Sequence, residues 1–177
     1  AHGLGAAPEL MFIKTRNNTG DWMAYYGDNT DFLKLNEANA TEDLAAVWND
    51  TSPTSTVFTL GDNGDVNTDA RTYIAYCWRS IEGFSKVGSY TGNGNADGPF
   101  VYTGFRPAFT LIKKSSASGS WWEMVDNKRS PTNVMSKTLY ANQNDAEYDS
   151  TSYNRDFTSN GFKIRNTNAG DNTDDAT

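Results

Sequence analysis

The residue types that do covalent chemistry are scarce in this chain. It has 1 His, His2, and 1 Cys, Cys77. A serine or cysteine nucleophile needs a base within hydrogen-bond reach, and a single histidine beside the chain's first residue is a poor base. A histidine-rich metal site fails on the same count. Cys77 sits in the apolar run Tyr73-Ile-Ala-Tyr-Cys-Trp78. It reads as a small buried hydrophobe with no partner for an intrachain disulfide. Carboxylates remain, since paired Asp or Glu residues hydrolyse glycosides. Glu9 and Glu123 are candidates, but neither recurs at the matching place in the other half of the chain. The reading is therefore not an enzyme, with no catalytic residues.

Oxygen-rich loops are the next candidates. Asp62-Asn63-Gly64-Asp65 and Asp171-Asn172-Thr173-Asp174-Asp175 could offer oxygens to calcium. Neither ends in the Glu of an EF-hand loop, so Asx turns between strands are the expected role, and no cofactor is assigned. Surface contacts are expected from the loops 17–21, 61–65, 93–97 and 127–133. The binding candidates there are Asn18, Asp21, Asp62, Asp65, Asn93, Asn95, Asp97, Lys128 and Arg129, with Trp122 beside them. Trp22 and Trp121 are expected to fill space between sheets, the other use of such rings being a sugar-stacking platform. Asn17, Asn39 and Asn49 open Asn-x-Thr triplets, which arise by chance in a chain this rich in Asn and Thr.

The elements that must position these residues come in two sets. With an offset of about 99 positions that widens to about 105, the chain matches itself. Gly5, Pro8, Ile13, Lys14, Gly20 and Trp22 fall on Gly104, Pro107, Ile112, Lys113, Gly119 and Trp121. Leu33, Asn36, Phe58, Asn67, Thr68 and Thr72 fall on Leu139, Asn142, Phe162, Asn172, Thr173 and Thr177. Two tandem repeats are expected, 1–82 lacking a strand before it and 83–177 lacking one after it. On this reading the chain is cut at both ends, or a neighbour supplies the missing strands.

Short strand-like runs alternate with Gly and Asx turns: 10–15, 21–26, 32–35, 57–60, 71–78, 84–90, 100–103, 109–114, 121–126, 138–141 and 162–165. One helical turn fits within 36–46. This spacing predicts an all-β fold, a β-sandwich or jelly roll. Trp 5, Tyr 9 and Phe 9 suit aromatic strands. The net charge of −7 and absence of a basic stripe argue against nucleic-acid binding. No apolar run of about 20 residues suggests membrane insertion.

The stretch from His2 to Lys14, followed by Gly20-Asp-Trp22, is similar to a repeated domain of tail-fibre-like and other structural proteins of marine bacteriophages, especially cyanophages. So are Val47-Trp-Asn-Asp-Thr51, Thr56-Val-Phe-Thr-Leu-Gly61, Tyr73–Trp78, the run from Glu82 to Gly94 and the run from Phe100 to Pro107. The resemblance implies a lectin-like β-sandwich at a virion surface, outside the cell. It implies homo-oligomers, other virion proteins and a host-surface glycan or receptor as partners. A fibre or appendage module for adhesion is the function expected. The alternatives are a pure assembly or decoration module and a polysaccharide depolymerase domain.

Overall fold

A computed structural model describes residues 1–174. The chain is almost wholly β, in three antiparallel sheets, and forms two compact units, Ala1–Ser80 and a second beginning at Ile81. Thr177, and with it the match to Thr72, lies outside the described residues, as does Asp175.

Unit 1 is one five-stranded sheet, ordered β4-β3-β2-β1-β5. The strands are β1 (Leu10–Thr15), β2 (Met23–Tyr25), β3 (Asp31–Lys34), β4 (Glu42–Asp43) and β5 (Tyr73–Trp78). Strand alternation sets the inner face: Met11 and Ile13 from β1, Met23 and Tyr25 from β2 and Phe32 from β3 form the core with Val47, Trp48 and Val66. Val47 and Trp48 come from a helical turn, α1 (Ala45–Trp48), which lies mostly beyond the expected 36–46 and ends at Asn49 in the left-handed conformation. The Trp48 indole N–H donates to the Asp31 carbonyl at 3.0 Å, so the ring is buried without an orphaned donor.

The expected strand at 57–60 is absent. Gly61 N–H donates to Val47 O at 3.0 Å and Asn63 N–H to Ala46 O at 2.9 Å. The segment is thereby docked on a helical turn that offers no ladder. The approach is close enough that a Cβ at Gly61 would lie 2.2 Å from Ala46 O, so only glycine fits. Phe58 and Leu60 still pack on the core. The run 84–90 also forms no strand. An isolated bridge joins Ile81 to Ser85, and Phe84 is 77 % exposed.

Unit 2 has two sheets, ordered β10-β9-β8-β7 and β11-β12-β6. These contain β6 (Phe100–Tyr102), β7 (Phe109–Ile112), β8 (Glu123–Asp126), β9 (Lys137–Tyr140), β10 (Tyr148–Asp149), β11 (Arg155–Thr158) and β12 (Gly161–Ile164). Their inner faces share a core of Ile112, Val125, Met135, Phe157, Phe162 and Ile164, the arrangement of a small sandwich. β11 was not anticipated from the sequence.

The four-stranded meander β1–β4 has the same order and pairing as β7–β10. Phe12↔Ala24 and Ile13↔Met23 in unit 1 correspond to Leu111↔Met124 and Ile112↔Glu123 in unit 2. Met23↔Lys34 corresponds to Glu123↔Tyr140. The second hairpin is longer by a residue, and this corrects the ungapped match of Trp22 with Trp121. Trp22 N–H donates to Asn36 Oδ1 at 2.7 Å, and it is Trp122 N–H that donates to Asn142 Oδ1, at 3.0 Å. Trp121 corresponds to Asp21, and Glu123 to Met23 rather than Ala24. Neither Trp22 nor Trp121 fills a core: Trp22 is half-buried against Tyr76, and Trp121 is 36 % exposed.

The Asx loops correspond as well. Asn63 Oδ1 accepts from Asp65 N–H at 2.8 Å and Thr68 Oγ1 donates to Gly64 O. Asn168 Oδ1 accepts from Gly170 N–H at 2.6 Å and Thr173 Oγ1 donates to Ala169 O. Val66 therefore corresponds to Asp171, and Asp65 to Gly170.

Candidate functional site

Most of the expected contact residues are occupied in holding their own turns. Asn18 Oδ1 accepts from Thr19 N–H at 2.7 Å. Asp21 accepts from Asn36 at 2.9 Å and pairs with Lys34 at 3.5 Å. Asp65 Oδ1 accepts from Asp21 N–H at 3.3 Å, while Asp62 is exposed. Asn93, Asn95 and Asp97 form successive Asx turns, and Asp97 pairs with Lys163 at 2.9 Å. The Lys163 ammonium, helped by Arg165 at 3.6 Å, holds the Asp97 carboxyl below its ordinary value. Arg129 pairs with Asp126 at 2.7 Å, and Lys128 is exposed with its backbone N–H on the same carboxylate. Trp122 is 4 % exposed. That corrects its expected place at the surface, because the extra hairpin residue turns Trp121 outward instead.

These residues do not converge. Among the described residues no group of three or more His, Cys, Asp or Glu is placed to hold a metal ion. Asp171 does not join a loop of calcium ligands, since its side chain points inward. Cys77 is half-buried against the unit 1 core, and burial pushes its thiol up. No helix among the described residues is long and apolar enough to cross a membrane.

Sequence reasoning missed the place where, among the described residues, titratable side chains converge. In unit 2, Arg155 Nη2 donates to Glu123 Oε2 and to Asp171 Oδ2, each at 2.9 Å, and Nη1 donates to Thr110 Oγ1 at 3.2 Å. The Arg155 and Asp171 side chains are 0 % exposed and that of Glu123 is 3 % exposed. β11 puts Arg155 inward by alternation with Phe157, β8 does the same for Glu123 beside Val125, and the Asx loop delivers Asp171. Asn166 Nδ2 also donates to Asp171 Oδ2, at 3.3 Å. Arg155 Nε and Asp171 Oδ1 are left without a partner.

Burying two carboxyls against one guanidinium raises their affinity for protons. Burial, reinforced by the charge of Asp171 and opposed by Arg155, pushes Glu123 up to about 8. Burial raises Asp171 too. Both carboxyls are thus held toward their protonated forms, with Arg155 opposing the shift. Tyr90, whose hydroxyl donates to Asp171 O at 2.6 Å, is also pushed up by burial.

Glu123 forms one wall of a cavity of about 260 Å³, with Ser120, Trp121, Tyr140, Tyr153 and the loop 168–170 around it. Tyr140 donates its hydroxyl to Tyr153 at 2.7 Å, so the Tyr153 hydrogen is left to donate elsewhere. Asn168 uses Oδ1 on Gly170, leaving its Nδ2 amine to donate. The exposed Trp121 indole stands 6.4 Å from the Tyr140 ring, edge-on.

The chain belongs to the family described as a domain of unknown function, DUF7483, which it matches over residues 1–177. No curated protein and no solved structure matches it.

Proposed function

We propose that this DUF7483 chain is a non-enzymatic adhesion module of a phage virion surface, a fibre or appendage unit that contacts host glycan. The cavity of unit 2 carries the reading. Polar groups with bonding capacity to spare, beside an exposed indole, suit a polyhydroxylated ligand. The loops around it are fixed by their own Asx bonds, so little ordering entropy is spent on binding. The resemblance to phage fibre domains and the matching registers of the two units support the same reading, the units being copies of one module. Homo-oligomers and other virion proteins are the partners it implies, and no cofactor enters it.

The non-enzymatic part rests on access. Glycoside hydrolysis needs two carboxyls flanking the scissile bond, and the Asp171 side chain is 0 % exposed behind Glu123. Incubation with host-surface polysaccharide should release no reducing sugar. Release that is abolished by Glu123→Gln would turn the reading to a depolymerase. For adhesion, the chain should bind host-surface polysaccharide on a glycan array. A second reading, pure assembly, is favoured by the outer face of edge strand β5, where Ile74, Tyr76 and Trp78 are 36, 44 and 40 % exposed. Failure on the array, with particle assembly lost on Tyr76→Ser, would select that reading.

A further inference from the structure

We propose that the unit 2 cavity is a subsite for one neutral pyranose ring, an inference that rests on the adhesion reading and gives it a ligand class. Its strongest support is the matching place in unit 1, which is plugged. There the Asp65 side chain spans from the Asx loop to the hairpin and accepts from Asp21 N–H at 3.3 Å. It lies so close that a Cβ on Gly20 would stand 2.3 Å from Asp65 Oδ1. In unit 2 the corresponding loop residue is Gly170, which has no side chain to reach across. The hairpin 119–121 and the loop 168–170 instead border the open cavity of about 260 Å³. A Cβ at Gly170 would lie 2.7 Å from Glu123 Oε1 and 3.0 Å from Asn168 Oδ1. The bare α-carbon is what keeps both groups reachable.

The wall chemistry selects the ligand. The volume is below the roughly 300–1,000 Å³ of drug-sized pockets, which limits the occupant to about one sugar ring. Tyr153 and Asn168 have donors to spend and the Ser120 hydroxyl lines the wall, a set suited to ring hydroxyls. The Trp121 indole offers a face for sugar C–H groups. No Lys or Arg lines the cavity. Lys114 turns its amine to Ala169 O and Thr173 Oγ1, at 3.4 and 3.3 Å. The buried guanidinium of Arg155 is taken up by Glu123 and Asp171. A sialic or uronic acid would therefore meet a carboxyl and no free cation.

The test titrates the full chain with methyl glycosides of glucose, galactose and mannose, and with sialic and glucuronic acid, by calorimetry and saturation-transfer NMR. At least one neutral glycoside should bind and the acids should not. Gly170→Asn, which recreates the unit 1 plug without its charge, and Trp121→Ala, at an exposed site, should each weaken binding about tenfold or more. Asp65→Ala should leave it unchanged. Melting curves separate lost binding from lost folding, and Trp121→Ala tests the site should Gly170→Asn fail to fold. Polysaccharide binding that neither variant weakens overturns the subsite and leaves adhesion standing. Variant-sensitive binding of monosaccharides with no polysaccharide binding overturns adhesion and keeps the subsite. Preference for the acids, or no binding of any sugar by the folded chain, overturns the proposal.

Discussion

Where unit 1 buries Met23 and Val66, unit 2 buries Glu123 and Asp171. Beside these, unit 1 buries Trp48 from the helical turn α1, and unit 2 buries Arg155 from strand β11. Corresponding places in the meander and the Asx loop thus hold apolar residues in one unit and titratable ones, joined by Arg155, in the other. The apolar residues gain from transfer out of water and from close packing. The triad must first overcome desolvation, which its mutual attraction repays only in part, and Arg155 Nε and Asp171 Oδ1 remain unpartnered. A strand meander therefore does not need a charged centre to fold. Glu123 also forms a wall of the cavity, a place that has no counterpart among the core contacts of Met23.

The comparison can be broken most severely by removing the cation alone. Arg155→Leu leaves two buried carboxyls without a countercharge and should cost about 3–5 kcal/mol in chemical denaturation. A loss below about 1 kcal/mol would mean that the triad is better hydrated than its burial indicates.

Making the triad apolar, with Met23 and Val66 of unit 1 as the guide at two of its positions, sharpens the comparison. The triple variant Glu123→Met, Arg155→Leu, Asp171→Val should be as stable as the native chain, or more stable by about 1–4 kcal/mol. A triple variant as unstable as Arg155→Leu would show that the two centres are not interchangeable packing solutions.

pH gives a third test. Glu123 has its ordinary value of 4.5 in the unfolded chain and about 8 in the folded one. The folded state therefore binds the proton more tightly. The stability this group contributes is fully present below about pH 4.5 and is lost progressively as pH rises through about 8. Asp171, also raised, acts in the same direction. Glu123→Gln should flatten that decline, by a few kcal/mol across the window on the order expected for a buried carboxyl. Parallel pH–stability curves for the two proteins would contradict the raised proton affinity of Glu123.

The smallest effect belongs to the plug. Asp65→Ala in unit 1 removes the bond to Asp21 N–H, which leads from a partly exposed site, and should cost about 1 kcal/mol. No change in the melting curve would mean that water replaces the carboxylate without loss.

Legibility in the sequence followed the range of the forces involved. β1 and β7 were evident because alternation and the following turns are local signals. β11 escaped because one of its two inward residues is Arg155, so Arg-Asp-Phe-Thr reads as polar. The run 57–60 carries strand-like residues, yet its neighbour in space is a helical turn. The choice between Trp121 and Trp122 was beyond ungapped matching, since both are Trp, and only the bond to Asn142 decides it. The triad had one readable trace: with the hairpin's extra residue allowed for, Glu and Asp stand in the second half where the first has Met23 and Val66.

The sequence by itself determined an all-β chain of short strands and Asx-locked turns, because pleat alternation and turn chemistry act between neighbours. Only the tertiary structure decided that Arg155 meets Glu123 and Asp171, which lie 32 and 16 positions away along the chain. It also decided that the gap closed by Asp65 stays open at Gly170. Burial sets the strength of a charge pair and the shape of a cavity, and burial exists only after the sheets have packed.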